Sequence, residues 1–153
     1  MPQPVTNPAL ADLEVLIGEW RIEIVFPSDP PSTVHGRAFF DRFEGGAFLV
    51  MRSEIDWAGP GGSVSVIGRD DAGEDFTVLY FDVRGVSRIY AMSFRDGVLR
   101  QWRDAPGFSQ RFTGKLSEDR HTMAARWEKS ADDVTWELDF NLTYRRVTND
   151  LSA

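Results

Sequence analysis

Arg88-Ile89-Tyr90 and Gln101-Trp102-Arg103 each carry two polar side chains two residues apart, the spacing that aims both at one face of a β-strand. Tyr80, Gln110, Trp127 and Trp136 hold matching positions in neighbouring alternating runs, and Met92 follows Tyr90 on the same face. Guanidinium forks bind carboxylate or phosphate through paired hydrogen bonds, while phenols and carboxamides orient what the forks hold. The same groups could polarise a carbonyl during a cyclisation or isomerisation. They include no activated nucleophile: there is no cysteine, no Gly-x-Ser-x-Gly, and the two histidines are predicted to lie far from this cluster.

Strands must position these residues. Ten alternating runs are predicted at Glu19–Phe26, Val34–Phe43, Ala47–Asp56, Ser63–Arg69, Phe76–Asp82, Val86–Phe94, Val98–Arg103, Phe108–Leu116, His121–Lys129 and Val134–Val147. Turn residues join them, among them Gly45-Gly46, Asp96-Gly97, Asp104 to Gly107 and Ser130 to Asp133. No crossover helix separates the strands, so the fold is predicted to be all-β: a ten-stranded up-and-down antiparallel barrel, hollow enough to hold a small molecule. Asn7-Pro8 starts a short helix over residues 7–17 that gathers Leu10, Leu13, Val15, Leu16 and Ile17 and ends at Gly18. The chain reads as one domain, with the barrel over residues 19–147 and a frayed tail over 148–153.

Closing the turns gives a register. Asp96-Gly97 sets Met92 opposite Gln101 and Tyr90 opposite Arg103; the turn at Asp104 sets Gln101 opposite Gln110 and Leu99 opposite Phe112. Ser130 to Asp133 sets Trp127 opposite Trp136 and Ala125 opposite Leu138. Gly45-Gly46 sets Phe40 against Met51 inside, with Arg37 against Glu54 and His35 against Asp56 outside. One face is then apolar and the other polar, and a slip of one residue would invert them. The fourth strand can close in two ways.

Alternate strands start at opposite ends, so each inward residue has a height. Trp20 and Arg146 fall at one end, the structural closed end. Tyr80, Arg88, Tyr90, Gln101, Arg103, Gln110, Trp127 and Trp136 fall towards the other. A buried guanidinium needs an acceptor, and Asp82 is the one inward carboxylate in reach. An anionic ligand head is therefore expected at Arg88 and Arg103, with its hydrocarbon on Phe76, Met92, Phe112 and Leu138. The competing expectation is that the arginines lie at the rim, reach water and stack on aromatic faces, while the tryptophans pack as core.

Leu16-Ile17-Gly18-Glu19-Trp20 at the opening of the first strand, with Arg145-Arg146 ending the last, resembles the calycin signature. In that superfamily (lipocalins, fatty-acid-binding proteins, nitrobindins) a Gly-x-Trp opens the barrel and a late Arg packs across the Trp. Ten strands and an N-terminal helix resemble the fatty-acid-binding and nitrobindin branches. Tyr80-Phe81-Asp82-Val83-Arg84-Gly85-Val86, Gly107-Phe108-Ser109-Gln110-Arg111-Phe112 and Arg126-Trp127-Glu128-Lys129-Ser130 are similar to a bacterial calycin-like family of unknown function. Nitrobindins hold haem through a His on the last strand, and none stands between Val134 and Val147, so haem is disfavoured and no cofactor is expected. The Arg-x-Tyr of fatty-acid-binding proteins is replaced on the last strand by Tyr144-Arg145-Arg146; Arg88-Ile89-Tyr90 has that spelling on a middle strand.

A net charge of -7 argues against nucleic acid and anionic membranes as partners. Met1 to Leu16 lacks a basic segment followed by an apolar run, no stretch nears the ~20 apolar residues of a spanning helix, and cysteine is absent, so a cytoplasmic location is expected. Asp70 to Asp75 lacks the ligand spacing of a calcium loop, and Gly59-Pro60-Gly61-Gly62 precedes a strand instead of a helix, so neither a metal nor a phosphate site is expected. Three functions follow: binding of a small hydrophobic or amphiphilic, anionic ligand; a barrel cyclase or isomerase; or a homodimer or other interaction module using the outer residues Leu79, Phe81, Ile89 and Trp102.

Overall fold

The computed structural model describes residues 7–56 and 61–148. The expected loop residues 57–60, including Gly59 and Pro60, and all but the first residue of the expected tail lie outside the described residues. Ten strands form a closed antiparallel barrel in which each strand pairs with its chain neighbours and the last closes on the first. They are β1 (Gly18–Phe26), β2 (Ser32–Phe43), β3 (Phe48–Ile55), β4 (Gly62–Arg69), β5 (Phe76–Asp82), β6 (Ser87–Arg95), β7 (Val98–Arg103), β8 (Ser109–Leu116), β9 (Thr122–Ser130) and β10 (Glu137–Arg146). None of the described helices is long and apolar enough to cross a membrane.

The N-terminal helix is a 3-10 helix, Pro8–Leu16, capped by Asn7, whose Oδ1 accepts from the Ala9 N–H at 3.0 Å. Leu10, Leu13 and Leu16 recur every third residue, the period of a 3-10 turn, so all three share one stripe and are buried against the barrel end. Beneath them Trp20 is 1 % exposed, and its Nε1 donates to the Leu16 carbonyl at 2.9 Å. Arg146 sits opposite Trp20 in the β1–β10 ladder, its guanidinium 4.2 Å from the ring. It donates to the carbonyls of Ile17 (2.8 Å), Arg120 (3.2 Å) and Val15. Gly18 is required there: its φ is +134°, and a Cβ would stand 2.9 Å from Arg146 Nη1.

The β2–β3 register is as the turn chemistry requires, with Phe40 opposite Met51 and Arg37 opposite Glu54. His35 pairs with Asp56 only through the backbone; its imidazole faces Glu23 on β1 at 3.7 Å. Met92 opposite Gln101 also holds, and Tyr80 stands opposite Arg88. The ambiguous β4 resolves with Ser63 opposite Asp82 and Ser65 opposite Tyr80.

Two expected registers are corrected. Across β7–β8, Arg103 faces Gln110, Gln101 faces Phe112 and Leu99 faces Gly114. Ser109 Oγ accepts from the Ala105 N–H and donates to its carbonyl, so residues 104–108 form the connection and the pairing slides by two. A slide of two preserves the faces. Across β9–β10 the change is larger. Asp132 Oδ1 accepts from Val134 N (2.9 Å) and Thr135 N (2.8 Å), holding these residues in the loop, and β10 starts at Glu137. A bulge between Leu138 and Phe140 then switches parity. Phe140, Leu142 and Tyr144 face inward as expected, but Trp136 and Leu138 do not. Leu138 is 36 % exposed, and Trp136 stacks on the Arg111 guanidinium at 4.1 Å, outside the wall.

Candidate functional site

Away from the Trp20 end the lumen has two unlike walls. From β3 to β8 its inward residues are polar: Ser53, Ser63, Ser65, Tyr80 and Asp82, then Arg88, Tyr90, Gln101, Arg103 and Gln110. From β9 through β10 to β2 they are mostly apolar: Trp127, Phe140, Leu142, Ile24, Phe26 and Val34, with Lys129 on β9 the exception, opposite Gln110 and 3.7 Å from Asp139. Phe26 and Phe140 meet at 5.3 Å between ring centroids, and Trp127 meets Tyr90 at 5.7 Å and Phe112 at 5.3 Å. Alternation along each strand puts these groups inside; which wall is polar depends on which strands carry them.

The expected site residues come together with one exception. Tyr80, Tyr90 and Trp127 form a run of edge contacts across the barrel, the two tyrosine rings 6.1 Å apart. Met92 lies under them between Phe76 and Gln101 and is 3 % exposed. Gln110 is buried; its Oε1 accepts from the Tyr90 hydroxyl at 2.9 Å and Arg88 Nη1 at 3.4 Å. Arg88 also lies 5.5 Å over the Phe108 ring at the rim, so part of the stacking expectation holds with it. Arg103 is near enough for its charge, with that of Arg88, to oppose the burial that raises the Tyr90 pKa. Trp136 is the exception, on the outer face.

Asp82 is not available to the two arginines. Its side chain is 6 % exposed and is bound by Arg84, with Nη2 at 2.7 Å and Nε at 3.2 Å from Oδ2. The Arg84 N–H and the Tyr80 hydroxyl add bonds of 2.9 and 2.8 Å. The Arg84 guanidinium therefore holds the Asp82 carboxyl far below the usual carboxylate range. Burial, aided by the Asp82 bond and charge, pushes the Tyr80 phenol up to about 12. Arg103 makes no hydrogen bond or ion pair with a described residue, and Arg88 meets the amide oxygen of Gln110, the Tyr90 phenol and the Phe108 ring, none of them an anion.

Polar atoms beside these groups stay accessible. Among the described residues no sealed side-chain nitrogen or oxygen lacks a partner. Ser65, 7 % exposed, and the amide nitrogen of Gln110, 8 % exposed, make no hydrogen bond within the described chain, so each borders space that water or a ligand can enter. The serines were not singled out from the sequence. Their signal was the alternation Ser63-x-Ser65 on β4, unreadable until that strand had a register, and Ser53 across from it, whose hydroxyl bonds that of Ser63.

A ten-stranded barrel, capped by a helix and holding a half-polar lumen, defines a calycin-like fold. Solved structures agree. Rv2717c from M. tuberculosis superposes with a TM-score of 0.69 at 13% identity, covering 94% of this chain and 100% of its own. The S-type phycobiliprotein lyase CPES from Guillardia theta gives 0.58 at 13% identity, over 92% of this chain and 93% of its own. No family model and no curated protein matches the chain.

Proposed function

We propose that this protein binds a small amphiphilic molecule with an anionic head inside the barrel. The head meets Arg88, Arg103 and the amide nitrogen of Gln110, and the hydrocarbon lies against Trp127, Phe140 and Leu142. One observation carries the reading: Asp82, the carboxylate expected to serve the arginines, is saturated by Arg84 and Tyr80, which leaves the guanidinium groups of Arg88 and Arg103 without an ion pair to a described residue. Binding is favoured over cyclase or isomerase chemistry because Tyr80 and Tyr90 commit their hydroxyl hydrogens to Asp82 and Gln110, and neither offers a proton inward. The phycobiliprotein lyase neighbour supports small-molecule handling on this fold, by analogy of architecture alone. The reading invokes no cofactor, and haem stays disfavoured because His35 faces Glu23 outside and His121 lies at the Arg146 end, so neither histidine is placed in the polar part of the lumen. We assign the protein to the cytoplasm on its lack of cysteine.

Native mass spectrometry of the purified protein, with melting curves across a panel of fatty and aromatic carboxylates, tests this. A bound small-molecule mass or a rise in melting temperature that Arg103→Met removes is the expected result. An empty protein indifferent to every carboxylate would end the proposal.

A second reading has an observation of its own. Leu79, Phe81 and Ile89 are 40 %, 46 % and 65 % exposed, side by side on the outer wall of β5 and β6. Such a strip fits self-association. If the native mass is that of a dimer, Ile89→Lys should return a monomer; a monomeric wild type removes this reading.

A further inference from the structure

The lumen contains a second polar station, far from the arginines. Tyr144 lies on β10 between Ile22 of β1 and Met123 of β9, one inward position above Arg146. It is 5 % exposed, its neighbours Ile22 and Met123 are buried hydrocarbon, and the Phe112 ring stands edge-on at 6.5 Å. Phe112 reaches it because Gly114 has no side chain: a Cβ there would stand 2.9 Å from Phe112 and 2.8 Å from the Met123 sulfur. The ring is thus fixed by packing.

Its hydroxyl makes no hydrogen bond with any described residue. An unpaired hydroxyl sealed in hydrocarbon would cost about 1–3 kcal/mol. The described chain contains no sealed side-chain polar atom without a partner, so the deeply buried Tyr144 oxygen keeps a small accessible area on its lumen side. Nearby cationic charge is already used: Arg146 donates to three backbone carbonyls and covers Trp20.

Resting on the anionic-head reading above, we propose that Tyr144 recognises the opposite end of the ligand, which carries a neutral hydroxyl or carbonyl group. The ligand class is then bipolar: a carboxylate or similar anion at Arg88 and Arg103, an apolar middle against Leu142 and Phe140, and a single neutral hydrogen-bonding group at the tail. A second carboxylate does not fit, because the deep station has a phenol and no free cation. A plain alkyl tail would leave the hydroxyl unpaired.

The test compares saturated carboxylates with their ω-hydroxy counterparts, from octanoate to hexadecanoate, by calorimetry on wild type and Tyr144→Phe. At one chain length wild type should bind the ω-hydroxy acid roughly tenfold more tightly, the worth of one net hydrogen bond. Tyr144→Phe should reverse that preference, weakening the ω-hydroxy acid and tightening the plain acid, while keeping the melting temperature of the free protein, since it removes only an unpaired oxygen. A preference unchanged by Tyr144→Phe, or plain acids bound as well as hydroxy acids at every length, overturns the deep station and leaves the arginine site standing. Failure of every acid to bind wild type overturns both.

Discussion

Tyr90 donates its hydroxyl to Gln110 Oε1 at 2.9 Å, and this bond determines what Gln110 offers the lumen. Arg88, which can only donate, reaches the same atom at 3.4 Å, so that atom is the amide oxygen and the NH2 group turns to the open side. A neutral side chain is thereby made a donor beside two cations. Gln110→Glu replaces that donor with an acceptor that pairs with Arg88. Carboxylate affinity should fall roughly 10- to 100-fold, the range for losing a charge-assisted bond and adding a like charge. Calorimetry reads the loss, and thermal melting should show the variant folded. Unchanged affinity would mean the head does not sit at Gln110.

Gly18→Ala should act on stability alone. The φ of +134° and the 2.9 Å approach to Arg146 Nη1 leave no room for a methyl group. The expected cost is about 1–3 kcal/mol, the range for a residue held in a sparsely populated backbone region. Urea unfolding measures it, and ligand affinity at the far end should remain.

Arg146→Met removes donors to the Val15, Ile17 and Arg120 carbonyls and uncovers Trp20. About 2–3 kcal/mol of unfolding free energy should be lost, as for hydrogen bonds from a charged group. Hydrogen exchange should show the Pro8–Leu16 helix loosening before the barrel, because Arg146 ties that helix to β10. Uniform destabilisation without selective helix exchange would show that the strap is not what holds the helix.

The chain has three tyrosines, Tyr80, Tyr90 and Tyr144, and burial is the leading cause that raises each above its ordinary 10.0. A raised acid keeps its proton longer folded than unfolded. The stabilisation is thus complete below pH 10 and is lost as pH rises above it. Tyrosinate absorbance should be missing from the native protein near pH 10 and should appear together with loss of β circular dichroism. Phenolate signal from a still-folded protein near pH 10 would show an exposed tyrosine.

The closed end was legible from strand alternation, which puts Trp20 and Arg146 at the same end, and from the calycin resemblance, which implies that the arginine packs across the tryptophan; Gly18, Trp20 and Arg146 do meet there. The Tyr80, Arg88, Tyr90, Arg103 and Gln110 cluster was legible for a related reason. Strand parity survives a slide of two residues, so the β7–β8 correction moved Gln110 along its neighbour without turning it outward.

The residues 130–139 were not legible. Asp132 forms a loop held by its own hydrogen bonds, and a bulge after Leu138 changes parity, so alternation read straight through would place Trp136 and Leu138 inside. A bulge is chosen by the fit of a strand to its partner, and Arg111, lying against Trp136 and Glu128, belongs to that outer fit.

By itself the sequence determined that ten alternating runs close into a barrel with a helix at the Trp20 end, because period-two alternation and turn chemistry act within a few residues. Only the tertiary structure decided that one wall of the lumen is mostly polar and the other mostly apolar, that Asp82 is taken by Arg84, and that the buried Tyr144 hydroxyl has no partner among the described residues. Those are relations across the barrel between side chains far apart in the chain, and they arise when curvature and shear bring non-neighbouring strands face to face.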